Sequence, residues 1–411
     1  MLDEIEINDK VVYVRGFSRG AIYNLNDGNV YSINAEACKI LEQFIIDRQL
    51  RCKFLDDLSE KSLIRNDFHP RNFSYPVLAK TLDFVWIELT ETCNLRCIHC
   101  YEGDMHKDDP KAKLSFTQWK DVLRQLKDVG CRKLEFIGGE PTMHSHFEEL
   151  LKFAVSLGHN VEIFTNLQAF NERIVHFIKK NNITVHFSIY GSSAATHDLI
   201  TNKSGSFKIL MYWVKRLVES NIRVKPAITI MRPNQNDIDN IFALIKNIGI
   251  PTKQISIDAV RATAKRSTAG LEPIDPMNNL ALRRKPNFHA SQSLFHKAKQ
   301  ANTCLFGKFT IQSDGIVSPC EFSRNIIYGN IKRQTIAEIL DSETLMKYWY
   351  FDFSKIEQCK ECEYRFACID CRMHYCENGF NNKNPRCLYN PMKGKWEVSR
   401  CCHSCCTPIG G

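Results

Sequence analysis

Six short apolar runs alternate with amphipathic segments from residue 82 onward. The runs, rich in β-branched and aromatic residues, cover 82–89, 133–138, 161–166, 183–190, 223–230 and 254–260. In one intervening segment, Ser115 is placed to cap a helix that ends at Gly130, with Trp119, Val122, Leu123 and Leu126 on one face. This repeated rhythm predicts an α/β fold with a parallel sheet covered by helices. The sheet is either open and doubly wound or a barrel, full or partial.

Residues 1–75 follow a different pattern. Two β-rich runs, VVYVRG and GAIYNL, precede Asp27-Gly28, a dipeptide typical of a tight hairpin turn. A helix follows, with one apolar side formed by Ala37, Leu41, Phe44 and Ile45. Strands followed by a helix predict a compact α+β module, similar to a winged helix.

The last third of the chain has weak periodicity. Residues 262–300 are rich in Pro, Asn, Ala and charge, and we expect a linker or lid there. Beyond them cysteines are frequent, as in domains where metal ligation replaces a large core. These changes divide the chain into four predicted segments: 1–75, 80–275, 276–395 and 396–411.

Composition excludes several classes of protein. Of the 411 residues, 44% are hydrophobic and 25% are charged, and no apolar stretch reaches the roughly 18 residues that a membrane span needs. The N-terminal MLDEIEINDK lacks the features of a signal peptide, so we expect a cytoplasmic protein. The net charge is +9, but Lys and Arg are spread along the chain without a basic stripe, so we expect no nucleic-acid partner.

The 18 cysteines add a chemical function to this picture. A cytosol keeps thiols reduced, which favours metal ligation over disulfides. Cys93, Cys97 and Cys100 directly follow the first predicted strand, at the carboxyl end where α/β folds place their chemistry. A cubane iron–sulfur cluster needs one ligand for each iron, so three cysteines leave one iron open. The alternative is a zinc site completed by His99 or His106.

A second signal is FIGGEPT, at the end of the second predicted strand. Gly138 and Gly139 let backbone carbonyls approach a ligand where a Cβ would interfere, and Glu140 offers a carboxylate to an ammonium group. An ordinary strand-to-helix turn also contains such a Gly-Gly pair. Its position beside the three-cysteine loop favours a shared ligand site.

Together, CxxxCxxC after the first strand and Gly-Gly-Glu-Pro after the second resemble the radical S-adenosylmethionine (SAM) enzymes. The resemblance implies a partial (β/α)6 TIM-like barrel over 80–275, with a 4Fe–4S cluster whose open iron binds SAM. It implies that reductive cleavage of SAM yields a 5′-deoxyadenosyl radical, which abstracts hydrogen from the substrate. By the same resemblance, Gly138, Gly139 and Glu140 hold the methionine amino group of SAM. Thr165, Asn166 and Ser188 lie near the cofactor. The alternative for these last three is a polar core or strand-end position.

The later cysteines are similar to the SPASM extension of this family, which binds two auxiliary 4Fe–4S clusters. By this resemblance the first auxiliary cluster is ligated by Cys304, Cys320 and Cys371, and the second by Cys359, Cys362, Cys368 and Cys387. The last interval of CKECEYRFACIDC is two residues where three is usual, which leaves open an exchange of Cys371 with Cys376. The first cluster then lacks one ligand, supplied by Cys376, solvent or a substrate thiolate. A pair of zinc ribbons is the alternative.

The resemblance implies an oxidoreductase that matures a ribosomally synthesised precursor peptide (a RiPP maturase), forming a thioether or other side-chain crosslink. Residues 1–75 also resemble the start of peptide maturases encoded with an ATP-grasp ligase. We therefore expect three partners: a precursor peptide, a flavodoxin- or ferredoxin-like electron donor, and a co-encoded ATP-grasp ligase. The enzymatic alternative is an anaerobic sulfatase-maturating enzyme that generates formylglycine. The alternative of another class is a zinc-binding scaffold or a nucleic-acid-binding protein.

The sequence assigns no residue as a catalytic acid or base. It also gives no chemical role to the C-terminal segment. The terminal CCHSCC is interpreted as part of a tail, with metal binding, electron relay and mimicry of a substrate peptide as alternatives.

Overall fold

The structure is a computed structural model that describes residues 4–101, 113–260, 270–274, 288–369, 371, 382–384 and 387–397. His106, Cys376 and the CCHSCC tail lie outside the described residues. The chain divides into two compact units. Within the described ranges, the first contains residues from 4–80, 288–306 and 347–397, and the second contains residues from 81–274 and 307–346.

The strands and helices are numbered along the chain. The strands are β1 Glu4–Asn8, β2 Val11–Arg15, β3 Gly20–Asn24, β4 Val30–Ile33, β5 Arg71–Asn72, β6 Phe84–Glu88, β7 Lys133–Ile137, β8 Asn160–Thr165, β9 Thr184–Ser188, β10 Val224–Ile230, β11 Ser256–Ala259, β12 Lys308–Ile311, β13 Ile316–Ser318, β14 Gly329–Asn330, β15 Tyr389–Asn390 and β16 Lys395–Trp396. The helices are α1 Ala35–Ile46, α2 Lys53–Glu60, α3 Phe116–Asp128, α4 Phe147–Ser156, α5 Glu172–Lys180, α6 Ala194–Thr201, α7 Ser206–Glu219, α8 Ile238–Asn247, α9 Gln292–Gln300, α10 Ile336–Leu340, α11 Glu343–Trp349 and α12 Glu357–Lys360.

The second unit contains a sheet with the strand order β11-β10-β9-β8-β7-β6-β12-β13-β14. Strands β6 to β11 are parallel and lie side by side in chain order. They overlap the six apolar runs, so the predicted parallel sheet is confirmed. Strand β12 adds to β6 in parallel, and β13 and β14 continue the sheet in antiparallel fashion.

Helix α3 forms where the sequence predicts it, for the predicted reason. The Ser115 hydroxyl accepts a hydrogen bond from the Gln118 amide, and the Gln118 side chain accepts one from the Ser115 amide. This reciprocal capping box satisfies two backbone donors at the helix start. The four apolar residues of the predicted face are all buried.

The two faces of the parallel strands differ in polarity. One face is fully buried and apolar, with Val85, Leu134, Ile163 and Val185 among its residues. Because side chains alternate along a strand, the residues between them point the other way. That second face carries Trp86, Glu135, Glu162, His186 and Lys225. The expectation of apolar strands therefore holds for one face only.

The first unit is built around an antiparallel sheet with the order β4-β3-β2-β1-β5. The predicted turn joins β3 to β4, where Gly28 has a φ of +83° and the Asp27 side chain accepts from the Asn29 amide. One face of the sheet packs against α1 and α2. The other shares a core with α9 and with Tyr364, Phe366 and Tyr389. Residues 1–75 thus contact parts of the cysteine-rich region through a common apolar core.

No helix within the described ranges is both long enough and apolar enough to cross a lipid bilayer.

Asn234, fully buried after β10, provides a test of this fold. Its amide donates to the carbonyls of Tyr190 (3.1 Å) and Thr229 (2.9 Å), and its side-chain oxygen accepts from the Met231 amide (2.7 Å). We expect Asn234→Leu to lower the thermal unfolding midpoint by roughly 5 °C or more, because three buried backbone groups lose this partner at about 1–3 kcal/mol each. Asn240→Leu, at an exposed position on α8, is the matched control; equal shifts in the two variants would contradict the role of Asn234.

Candidate cofactor site

A cavity of about 290 Å³ lies in the second unit and is lined by the C-terminal parts of the parallel strands and the loops after them. Its lining includes every residue predicted to bind SAM or the cluster that binds SAM: Cys93, Cys97, Cys100, Gly138, Gly139, Glu140, Thr165, Asn166 and Ser188. These residues come from β6, β7, β8 and β9 and their following loops. Parallel strands whose carboxyl ends share one edge bring them together.

Backbone hydrogen bonds hold the cysteine loop. The amides of Arg96 and Ile98 donate to the carbonyls of Thr201 (3.1 Å) and Ile200 (2.9 Å), at the end of α6. The Cys100 amide donates to the Cys97 carbonyl at 3.1 Å and closes a turn between the second and third cysteines. The loop is therefore anchored to the end of α6.

The arrangement of the three sulfurs does not suit a single zinc ion. Ligand atoms that share one zinc lie within about twice the Zn–S distance of 2.3 Å of each other. Within the described part of the chain, the one group of three or more candidate ligands that converges this closely is Glu135, Glu162 and His186. The ring of His99 packs edge-on against Tyr190, with a centroid distance of 4.6 Å. Sulfurs that stand apart fit a polynuclear cluster, where each thiolate binds a different iron.

The cysteine environment also needs a cation. Burial raises the pKa of the Cys93 thiol to about 11, and the nearby Glu140 carboxylate contributes to the rise. Hydrogen bonds from the Leu95 amide and the Asn166 side chain, both at 3.5 Å, oppose it incompletely. A thiolate at this position would therefore need a nearby cation, and a metal ion is the usual partner of a buried anionic sulfur.

Gly138 and Gly139 are required by a close approach of two loops. The Gly139 amide donates to the Thr90 carbonyl at 2.7 Å, and the Glu140 amide donates to the Thr92 carbonyl at 2.8 Å. A Cβ on Gly138 would stand 2.4 Å from the Thr90 carbonyl oxygen, and one on Gly139 would stand 2.4 Å from that of Glu91. The glycine pair thus joins the end of β7 to the start of the cysteine loop.

Glu140 is fully buried and holds the next strand in place. Its carboxylate accepts hydrogen bonds from the hydroxyls of Thr142 (2.6 Å) and Thr165 (2.7 Å) and from the amide of Asn166 (2.7 Å). Burial raises the pKa of this carboxyl, and the hydrogen bonds oppose the rise. The side chain of Asn166 in turn donates to Asn94 at 2.8 Å, inside the cysteine loop.

Tyr190 and His197 form part of the cavity wall that the sequence analysis did not find. Their rings stack at a centroid distance of 5.6 Å, and the His197 Nδ1 accepts from the Tyr190 amide at 3.2 Å. Burial lowers the pKa of His197 to about 4, so its ring is neutral near pH 7. Neither residue belongs to a motif, and only the end of β9 and the start of α6 place them beside the cysteines.

A second cavity, of about 40 Å³, lies in the first unit. Its lining includes the four cysteines that the resemblance assigns to the second auxiliary cluster: Cys359, Cys362, Cys368 and Cys387. Burial raises the pKa of the Cys362 thiol, as it does for Cys93. Cys371 is not among the residues that line this cavity. The ligand set predicted for the first auxiliary cluster, Cys304, Cys320 and Cys371, draws on both units and stays a prediction.

The N-terminal sheet supports the loop that carries these cysteines. The Phe17 amide donates to the Glu361 carbonyl at 2.9 Å, and the Tyr23 hydroxyl donates to the Glu363 carbonyl at 2.7 Å. Tyr389 donates to the Glu363 carboxylate at 2.5 Å. Residues 1–75 therefore hold the segment between Cys359 and Cys368.

Comparisons with known proteins identify two domains in the chain. Residues 87–245 match the model of the Radical SAM superfamily, and residues 303–363 match that of SPASM, an iron-sulfur cluster-binding domain. The chain contains a radical SAM domain followed by a SPASM domain. Its two matched domains imply SAM and 4Fe–4S clusters as cofactors, and the separated cysteines, the glycine pair and the buried thiols fit them.

Two curated relatives and one solved structure illustrate the family. The sporulation killing factor maturation protein SkfB of Bacillus subtilis is 29% identical over 62% of this chain and 63% of its own length. An AdoMet-dependent heme synthase of Methanosarcina barkeri is 24% identical over 74% of this chain and 96% of its own. The chain spans less than two thirds of SkfB. SuiB of Streptococcus suis has the same fold, with a TM-score of 0.58 and 14% identity over 93% of this chain and 99% of SuiB.

The glycine pair offers a direct test of the site. We expect Gly139→Ala to weaken SAM binding by about tenfold or more, because its Cβ would press on the Glu91 and Thr92 carbonyls and displace the cysteine loop. Isothermal titration of the anaerobically reconstituted protein measures the affinity. Gly158→Ala is the control for general destabilisation, since it strains the backbone at a φ of +83° away from the cavity and its Cβ would meet only the flexible end of Lys127 at 3.3 Å. Unchanged affinity in Gly139→Ala would contradict the assignment.

Proposed function

We propose that this radical SAM enzyme modifies a ribosomally made precursor peptide by hydrogen abstraction, leaving a thioether or another side-chain crosslink. The observation that carries the proposal is the presence in one chain of a radical SAM cavity and a separate pocket of four cysteines in the SPASM region. Two relatives support a peptide as the substrate. SkfB is named as a maturation protein, and SuiB has been solved bound to the precursor peptide SuiA.

In this proposal the first cavity holds one cluster and SAM. Cys93, Cys97 and Cys100 ligate three irons, and SAM bound at the fourth supplies a hydrogen-abstracting group when it is reduced. Gly138, Gly139 and Glu140 hold the methionine amino group, through backbone carbonyls and the remaining acceptor positions of the carboxylate. Thr165 and Asn166 position Glu140, and Ser188 lies across the cavity on β9.

The SPASM region holds two auxiliary clusters in the same proposal. Cys359, Cys362, Cys368 and Cys387 ligate one of them, and their shared cavity supports that set. Cys304, Cys320 and Cys371 ligate the other, together with Cys376, solvent or a substrate thiolate. Clusters held by these cysteines would supply an acceptor for the electron that the peptide loses when the new bond forms.

Residues 1–75 recognise the leader part of the peptide in this proposal. A winged-helix-like module of this type adds an extended peptide to a sheet edge, where backbone hydrogen bonds give affinity. Strands β4 and β5 form the two ends of this sheet. The electron donor is a flavodoxin- or ferredoxin-like protein, and an ATP-grasp ligase acts on the same peptide.

Two variants test the division of labour between the clusters. Cys97→Ala should abolish formation of 5′-deoxyadenosine from SAM, because it removes one of the three ligands of the SAM-binding cluster. Cys362→Ala should retain some deoxyadenosine formation while peptide product is lost, because only the second auxiliary site is damaged. Anaerobic assays with dithionite, followed by chromatography and mass spectrometry of the peptide, measure both. The fully assembled protein should hold about twelve irons.

Contrary results have distinct meanings. Zinc without iron in the purified protein would favour the scaffold alternative. Identical behaviour of the two variants would mean that the clusters do not divide the work or that the SPASM region is required for folding. Conversion of a sulfatase-derived peptide to formylglycine, or synthesis of heme, without any product from a precursor peptide would replace the proposal.

Leader recognition is best tested by changing the peptide. Removing residues 1–75 would also remove Val12, Val14 and Tyr23 from the core beside Cys362 and Cys387, so loss of activity would be ambiguous. We expect the full chain to modify a precursor with its leader at least about tenfold faster at limiting peptide than the same core peptide without it. Free leader peptide added in excess should compete with the precursor for binding and slow its modification to the rate of the core peptide. Equal rates would argue against leader binding.

A further inference from the structure

The polar face of the parallel sheet contains a hydrogen-bonded group that the proposed function does not yet use. His186 on β9 lies between two carboxylates, those of Glu162 on β8 and Glu135 on β7. Its Nε2 is 2.9 Å from the Glu162 carboxylate, and its Nδ1 is 3.5 Å from the Glu135 carboxylate. Glu135 also lines the large cavity that holds the three cysteines. The group therefore extends from the cavity along the polar face of the sheet.

One ligand atom from each of Glu135, Glu162 and His186 lies within 4.8 Å of the other two, a spacing that a metal ion can bridge. The surrounding contacts favour a hydrogen-bonded role instead. The two nitrogens of His186 face different carboxylates. One oxygen of Glu162 also faces the ammonium groups of Lys225 (3.2 Å) and Lys133 (3.3 Å), which repel a second cation. A carboxylate–imidazole–carboxylate sequence of this kind is suited to moving a proton.

The hydrogen-bond donors determine which nitrogen carries the proton. Burial raises the pKa of the Glu162 carboxyl, but hydrogen bonds and charge from His186, Lys225 and Lys133 outweigh it and lower the pKa to about 2. This carboxylate is therefore ionised and only accepts hydrogen bonds. The hydrogen bond at 2.9 Å must then be donated by Nε2–H of His186. In neutral His186 the lone pair is left on Nδ1, facing Glu135.

Glu135 has the environment of a proton acceptor at the cavity. It is 6% exposed, and burial raises the pKa of its carboxyl, while His186 and the Trp86 side chain oppose the rise. Its other charged neighbours are Glu162 and Lys133, and Asp258 on β11 lines the same cavity. A carboxylate that accepts a proton here can pass it to the free Nδ1 of His186.

We propose that Glu135 accepts the proton released when the peptide crosslink forms, that His186 carries it away from the cavity, and that Glu162 is a positioning residue for His186. This inference rests on the proposed function. Joining a peptide carbon that starts as C–H to an atom X that starts as X–H breaks both bonds and forms C–X. One hydrogen leaves as an atom taken up by the deoxyadenosyl group of SAM. The other leaves as a proton to Glu135, and its electron passes to an iron–sulfur cluster.

Lys133 and Lys225 complete the path in this proposal. Their side chains are 40% and 33% exposed, against 19% for His186, so exposure increases away from Glu135. Both ammonium groups keep Glu162 ionised, which preserves the Nε2–H tautomer of His186 and stabilises the imidazolium when the ring is charged. Water reaching His186 from that side receives the proton.

The first test measures coupling between SAM cleavage and product formation. For Glu135→Gln and His186→Gln we expect the amount of crosslinked peptide formed per 5′-deoxyadenosine to fall by about tenfold or more, since a positioned acid–base group contributes about 10²–10⁴-fold. Glu162→Gln should cause a similar fall although Glu135 is intact, because an amide can donate to Nε2 and permit the Nδ1–H tautomer. Glu172→Gln is the control, since its exposed carboxylate pairs with Arg216 away from the cavity. Wild-type ratios in the three variants would overturn the proposal.

The second test does not depend on activity. Nitrogen-15 NMR of the histidine-labelled, anaerobically reconstituted full chain should show His186 with the proton on Nε2, assigned by loss of the signal in His186→Gln. Glu162→Gln should shift the population toward Nδ1–H, and Glu172→Gln should leave the spectrum unchanged. An Nδ1–H tautomer in the wild-type protein would overturn the proposal. If the wild type forms deoxyadenosine but no peptide product, the proposed function fails, and the tautomer still decides whether Glu162 positions His186.

Discussion

The close approach of two backbone segments is the contact on which the cofactor site depends. The chain leaving β6 and the chain leaving β7 hydrogen-bond directly through Thr90, Thr92, Gly139 and Glu140, at distances that exclude a Cβ. From this contact, Glu140 reaches the end of β8, and Asn166 reaches back to the cysteine loop. Three neighbouring strands are thereby joined around one cavity. A loop held at both sides can present thiolates at fixed separations, which a polynuclear cluster needs.

The difference between the two faces of the sheet explains how one layer serves both stability and chemistry. The apolar face is buried and supplies the hydrophobic stabilisation, at about 25 cal/mol for each Å² removed from water. The other face carries charged side chains, and they are arranged in pairs or longer hydrogen-bonded groups. The carboxylate of Glu162, for example, faces three partners: His186, Lys133 and Lys225. Unpaired charges at this burial would cost several kcal/mol, so the pairing is what permits a polar interior.

The first unit shows that the N-terminal residues have a structural role beside the proposed recognition role. One face of their sheet covers α1 and α2, and the other contacts the aromatic residues beside Cys362 and Cys387. Tyr23 donates to the backbone of the segment that carries the auxiliary cysteines. A peptide bound to this sheet would therefore contact a unit that also carries the four cysteines proposed to hold an auxiliary cluster. In the proposed function, recognition and cluster support share one hydrophobic core.

The sequence by itself determined the elements and the chemistry of the motifs. The six parallel strands, the capped helix after Ser115 and the hairpin at Gly28 all depend on local patterns, which is why periodicity and turn residues predict them. The chemistry of CxxxCxxC and Gly-Gly-Glu can be predicted for the same reason, because each motif is a short local pattern. Only the tertiary structure decided which residues without a motif reach the cavity, among them Glu135, Tyr190 and His197. Strand register and the packing of α6 place them there, and contacts between residues far apart in the chain leave no periodic signal in either segment alone.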